Sequence, residues 1–90
     1  MLTMKDVIEH NKDTRMHFFD KETMDFWGCK IESELIDDKY FITSELNFDG
    51  SKRLYTVRKY NWNDGMITDF GFQNCKTLKE AQDYLNELKE

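Results

Sequence analysis

The side chains in this chain best suited to holding a metal are His10, His17, Cys29 and Cys75, a nominal four-ligand set. Structural zinc sites draw their ligands in close pairs, C-x₂-C or H-x₃-H, because one turn of chain must bring two of them to one ion. No pair here has that spacing, so the four read as unrelated residues, with no metal and no cofactor expected. Glu32, Glu34 and Glu45 are the next candidates, and the alternation around them is expected to put them on one sheet face. Paired carboxylates do acid–base work when one is desolvated, but a solvated sheet face accounts for these three more simply. There is no G-x-S-x-G, no P-loop and no glycine-rich dinucleotide turn. With four glycines in the whole chain, a phosphate-cradling loop is disfavoured. The residues thus point away from an enzyme.

A binding surface is the other thing side chains can build. The run Arg53–Trp62 carries apolar or aromatic residues at both parities: Tyr55 and Val57 on one, Leu54, Tyr60 and Trp62 on the other. A sheet covered on one side needs only one apolar face. One explanation is that the N-terminal helix covers the second face, or that a bulge near Lys59 switches parity. The other is functional. Thr56, Arg58, Tyr60 and Trp62 would form an exposed aromatic-basic stripe flanked by Glu32, Glu34 and Glu45, and Tyr, Trp and Arg are the residues enriched at binding hot spots. On that reading Arg58, Tyr60, Trp62, Glu32, Glu34 and Glu45 contact a partner.

The elements that would position these residues are legible. Thr3 followed by Asp6 forms a capping-box pattern and predicts a short helix over 4–11. Met16–Phe19 fits a short strand. Glu22–Trp27 fits either a helical turn or a strand, and the helical turn is favoured, ended by Gly28. Period-two alternation follows. Cys29, Ile31, Ser33 and Leu35 alternate with Lys30, Glu32 and Glu34, Asp37-Asp38 turns the chain, and Tyr40–Phe48 alternates again. Asp49-Gly50 marks a hairpin, a third strand runs Arg53–Trp62, Asn63-Asp64-Gly65 turns it, and Met66–Phe72 makes the fourth. The short connections require antiparallel neighbours in order 1-2-3-4. Thr77-Leu78-Lys79-Glu80 opens a last helix whose Leu78, Ala81, Tyr84, Leu85 and Leu88 share one face. The expected fold is α+β: one domain over 1–90, a four-stranded antiparallel sheet, a short N-terminal helix and a C-terminal amphipathic helix packed on one face.

Bulk properties narrow the partner. The chain of 90 residues is 39% hydrophobic and 14% aromatic, which supports a folded core despite 34% charged residues. A chain this short buries only about 60–65% of its unfolded surface, so that core is thin. The net charge of −5 disfavours generic nucleic-acid or anionic-membrane binding and suits a basic protein. A local basic patch at Lys52-Arg53 and Arg58-Lys59 runs against that average. The N-terminus lacks the apolar core of a signal peptide, no run is long enough for a membrane span, and two cysteines are too few for a disulfide framework. Free thiols in a reducing cytosol are the expectation, with a single bridge as the alternative.

Phe18–Trp27, Tyr40–Glu45 and Arg53–Arg58, followed by Phe72 and the helix bearing Ala81, resemble a family of small uncharacterised proteins from phages and other mobile elements. Where such proteins carry a serine after a small residue, this chain has Gly28-Cys29. The resemblance implies a mobile-element origin, in which small acidic proteins often bind and inhibit host machinery, immune nucleases included. Phe72 through Leu85 is also similar to the end of the arm-type DNA-binding domain of integrases, a three-stranded sheet and a helix. That likeness implies insertion of the sheet into the major groove, although Arg53, Arg58 and Lys59 stand against Glu45, Asp49 and Asp69. The expected function is a non-enzymatic phage-type binding protein that inhibits a host defence or nucleic-acid-processing protein, an anti-CRISPR-like inhibitor being the concrete form. The alternative is a small DNA- or RNA-binding regulator using the third strand.

Overall fold

Thr3 opens the first helix as its side chain requires. Its Oγ1 accepts from the Asp6 amide, and the Asp6 carboxylate accepts from the Thr3 amide at 2.8 Å, closing a capping box. In this computed structural model, which describes residues 1–90, helix α1 spans Met4–Asp13, about half a turn past the expected end. Helix α2 spans Lys21–Trp27. It ends in a Schellman motif: Gly28 adopts φ +58°, its amide donates to the Asp25 carbonyl, and the Cys29 amide donates to the Met24 carbonyl. The preceding Met16–Phe19 segment is irregular, with Arg15 and His17 at positive φ, and forms no strand.

The sheet contains β1 (Lys30–Ile31), β2 (Tyr40–Leu46), β3 (Arg53–Tyr60) and β4 (Ile67–Asp69), antiparallel in the order 1-2-3-4. Strand β1 is much shorter than its alternation suggests. The Ser33 hydroxyl accepts the Ile42 amide at 2.9 Å, so a side chain takes the place of the main-chain ladder and the segment bends away. Asp37 and Asp38, both at positive φ, then make the turn into β2. Helix α3 (Leu78–Leu88) starts at Thr77, whose hydroxyl accepts from the Glu80 amide at 3.1 Å.

Both faces of the sheet are covered. On one, Ile42 and Val57 pack under Cys75, Ala81 and Leu85, the face of α3 expected from its periodicity. On the other, Phe41 and Tyr60 pack under Val7 of α1, with Phe19, Leu35, Trp62 and Ile67 around them. Buried Asn11 locks α1 in place, donating to the Gly65 carbonyl and accepting from the Phe18 amide, each at 2.9 Å. Gly65 sits at φ +78° directly against Thr14, where a Cβ would collide with the Thr14 side chain. No helix is long and apolar enough to cross a membrane.

Candidate functional site

Regular pairing of Phe41 with Arg58 and Tyr40 with Lys59 keeps Arg58 and Tyr60 on one face, with no bulge at Lys59. That face is the one α1 and the following segment cover. Tyr60 is 1% exposed and Arg58 7%, so neither belongs to an open stripe. Trp62 is half-buried, its indole N–H donating to the Asp38 carbonyl at 2.7 Å. Tyr60 OH lies 2.6 Å from His10 Nδ1, and the Tyr60 and Trp62 rings stack edge-on at 4.8 Å. The expectation of solvent-accessible Arg58 and Tyr60 fails because a second apolar layer, drawn from residues 4–19, needs that face.

The three glutamates do not share a face either. Ile31 pairs with Thr43 and Lys30 with Ser44, so Glu32 follows Lys30 to the α3 side, where it accepts from Ser44 Oγ at 3.2 Å. Glu34 is exposed beyond the end of β1. Glu45 lies on the opposite side and is 1% exposed. Alternation within each strand is right, but the register between them is offset by one residue from the one that would align the carboxylates, which moves every side chain of β1 across the sheet.

What replaces the stripe is a buried polar cluster between α2 and the sheet. Glu45 Oε1 accepts from Thr56 Oγ1 at 2.7 Å, and Oε2 from Thr43 Oγ1 at 2.5 Å and from an Arg58 Nη2 at 3.4 Å. The Cys29 thiol donates to the same Oε2 at 3.7 Å. Arg58 Nε donates to Thr43 Oγ1 at 2.8 Å, so Thr43 bridges the pair. The Gln73 amide donates to Thr56 Oγ1, and its side chain to the Glu45 and Leu46 carbonyls, tying the chain after β4 to the same cluster. Burial, and then the charge of Glu45, push the Cys29 thiol from 9.0 up to about 11, so it is a neutral thiol at neutral pH and a poor nucleophile. Cys75 lies on the other side of the sheet under α3, and both cysteines are free. His17 pairs with Asp20 at 3.0 Å, far in role from His10, and no group of side chains is arranged to hold a metal.

Helix α2 buries none of its residues. It stands off the sheet over a cavity of about 280 Å³ walled by Phe18, Met24, Trp27 and Phe72, with Cys29, Glu45 and Arg58 among its polar lining. The Arg58 guanidinium lies 5.0 Å from the Phe18 ring centre and 5.9 Å from that of Phe72. Trp27 and Phe72, 5.8 Å apart, divide this cavity from an open groove of about 610 Å³ that also takes in Phe26, Leu46 and Phe48. Phe26 is 78% exposed, Trp27 49%, Phe72 45% and Leu46 40%, and Phe48 is fully exposed. Asp25 and Asp49 line the same groove; Asp25 is paired with Lys21 at 2.6 Å, which leaves Asp49 as the carboxylate there without a cation.

Sequence reasoning missed this end of the molecule. A signal was present: Met24, Phe26 and Trp27 lie too far around a seven-residue helix for all three to face one sheet. Phe48 and Phe72, expected as strand residues, lie beyond the observed ends of β2 and β4.

The fold and the cluster define a class: a small α+β domain with helices on both faces of a four-stranded antiparallel sheet, a tied-up buried ion pair, and an aromatic end. Within that class the chain belongs to a family of unknown function, DUF7447, whose model matches residues 3–86. No curated protein and no solved structure matches it.

Proposed function

We propose that this chain is a non-catalytic binding protein that recognises a basic host protein through the aromatic surface of Phe26, Trp27, Leu46, Phe48 and Phe72. The observation that carries the reading is the clustering of these exposed apolar side chains at one end of the sheet, with Asp25 and Asp49 beside them. A small monomer rarely leaves large aromatics together in water without a partner for them. Asp49 and the net charge of −5 favour a partner of positive potential. Proteins that handle nucleic acids carry such surfaces, and an acidic domain seated there would block them. That supports inhibition of a host defence or nucleic-acid-processing protein, in the anti-CRISPR-like manner that the mobile-element resemblance implies. The tied-up state of Glu45, Arg58 and Cys29 favours binding over catalysis.

The alternative, a DNA- or RNA-binding regulator using β3, has less to work with. Arg58 is buried, and Arg53 is engaged with the Gly28 carbonyl at 2.6 Å and Ser44 Oγ at 3.0 Å, leaving Lys59 as the exposed cation of that strand. The test is affinity capture from host lysate with the wild type and a Phe26→Ala/Phe48→Ala variant. Both side chains are exposed, so stability should change by less than about 0.5 kcal/mol each. A basic protein captured by the wild type, lost with the variant, and inhibited by the wild type when purified supports the reading. Identical capture by both refutes it, and a gel shift of random duplex with steep salt dependence would favour the nucleic-acid reading.

A further inference from the structure

The cavity beneath α2 has a chemistry of its own, separate from the open groove beside it. Its walls are aromatic and thioether side chains, Phe18, Met24, Trp27 and Phe72. Its volume of about 280 Å³ compares with the roughly 150 Å³ that accommodates benzene in an engineered core, so one ring fits with room for a substituent. Its floor is specific in hydrogen bonding. The Glu45 carboxylate already accepts from Thr43, Arg58 and Cys29 on Oε2 and from Thr56 on Oε1, so it is engaged within the protein. Arg58 Nη1, in contrast, makes no hydrogen bond within the protein. No fully buried side-chain nitrogen or oxygen lacks a partner, so Nη1 keeps contact with open space, and Arg58 is a lining residue of this cavity. The Thr23 side chain lines the same cavity from the α2 side, and its hydroxyl can both donate and accept. The lining therefore offers an unused guanidinium donor at Arg58 and, at Thr23, a hydroxyl that can donate or accept, while Arg58 and Glu45 cancel in charge. An ammonium group would lie against the like charge of the Arg58 guanidinium. A carboxylate would find Arg58 already neutralised and Glu45 beside it. A neutral hydroxyl or carbonyl on a ring meets the site without either conflict.

We propose that this cavity is a receptor for one phenol-like ring, supplied by a tyrosine side chain of the protein partner, with the phenolic oxygen accepting from Arg58 and its O–H donating to Thr23 Oγ1. The occupant deepens the partner reading above and rests on it for the source of the ring, while the chemistry of the cavity stands without it. Helix α2 has no buried residue to hold it down, so it is the element able to shift as a ring enters.

The test uses the isolated protein and three probes: p-cresol, benzoate and benzylamine. Binding is read from the Trp27 indole N–H in a nitrogen-15 NMR titration, with the Trp62 indole, on the far side of Tyr60, as internal control. The expected result is a saturable shift of Trp27 alone with p-cresol, and affinities at least about tenfold weaker for benzoate and benzylamine. Met24→Trp, which fills the cavity from α2, should abolish the shift in a protein whose unfolding midpoint is retained. Thr23→Val should weaken p-cresol several-fold. Arg58→Lys is informative only if folded, and Thr23→Val and Met24→Trp carry the test if it is not. No saturable shift with p-cresol, equal binding of benzoate, or undiminished binding to Met24→Trp overturns the proposal. To separate the sources of the ring, N-acetyltyrosinamide is compared with free p-cresol: binding of p-cresol with exclusion of N-acetyltyrosinamide would make the occupant a free phenol and overturn the tyrosine assignment. Because no partner is present, failure here is distinct from failure of the capture experiment, which turns on Phe26 and Phe48.

Discussion

Replacing Arg58 with leucine asks the sharpest question of this structure. Leucine keeps apolar volume between Phe18 and Phe72 but removes the cation and both of its hydrogen bonds, Nε to Thr43 and Nη2 to Glu45. Glu45, 1% exposed, is left with only neutral donors: Thr43, Thr56 and the Cys29 thiol. A buried charge stripped of its counter-ion typically costs 3–5 kcal/mol, far more than the intact pair contributes, because desolvation has already been incurred. A chain of 90 residues has a total stability of about 5–13 kcal/mol, so the change removes a large part of it. At a urea slope near 1.5 kcal/mol/M, the midpoint should fall by about 2–3 M. The companion variant Arg58→Leu/Glu45→Gln removes the orphaned charge while keeping an acceptor for the threonines. It should recover about 1–2 kcal/mol of the loss, a coupling in the range found for directly interacting residues. Chemical denaturation followed by tryptophan fluorescence and far-UV circular dichroism reads all the variants. A midpoint shift under 0.5 M for Arg58→Leu, or a double variant whose loss is the sum of the two single losses, would refute the claim that the pair is desolvated and coupled.

Three further outcomes are expected. Ile42→Ala and Leu85→Ala, both in the layer under α3, should each cost about 2–5 kcal/mol, and negligible midpoint shifts at both would mean that this layer carries little of the stability. Tyr60→Ala should cost about 3–5 kcal/mol as a core truncation, while Tyr60→Phe, which loses only the contact with His10 Nδ1, should cost about 0.5–1.5 kcal/mol; a neutral Tyr60→Ala would restore the open-stripe reading. The raised Cys29 thiol contributes stability that is complete below pH 9 and lost as pH rises toward 11, since the unfolded chain sheds that proton first. Cys75 and Tyr60 are also shifted upward by burial and act in the same direction, so the readout is the difference between wild type and Cys29→Ala: a shallower alkaline decline in the variant is expected, and parallel curves would contradict the assignment.

The parts of this fold that local chemistry dictates were readable along the chain. Thr3 with Asp6 and Thr77 with Glu80 cap the helices they precede, Asp37-Asp38 turns the chain, and the alternation of Tyr40–Leu46 and Arg53–Tyr60 yields two paired strands with Ile42 and Val57 on the α3 side. Each of these depends on residues a few positions apart, and so does the antiparallel order that short connections impose. The identity of the site did not follow, because it turns on contacts between distant segments. The one-residue register of β1 against β2 sent Glu32 and Glu45 to opposite faces, and no pattern within either strand encodes it. Arg58, Tyr60 and Glu45 look like surface residues along the chain, and they are interior because α1 and the segment through Phe19 cover Tyr60 while Phe18, α2 and Phe72 close over Arg58 and Glu45. Cys29, Thr43, Thr56 and Gln73 lie up to 44 positions apart (73 − 29) and become one cluster only when the helices close over the sheet. Periodicity tells which side chains travel together. Whether a shared face meets water or another layer is decided by the burial the whole chain can achieve, and in a domain with so thin a core both faces had to be used.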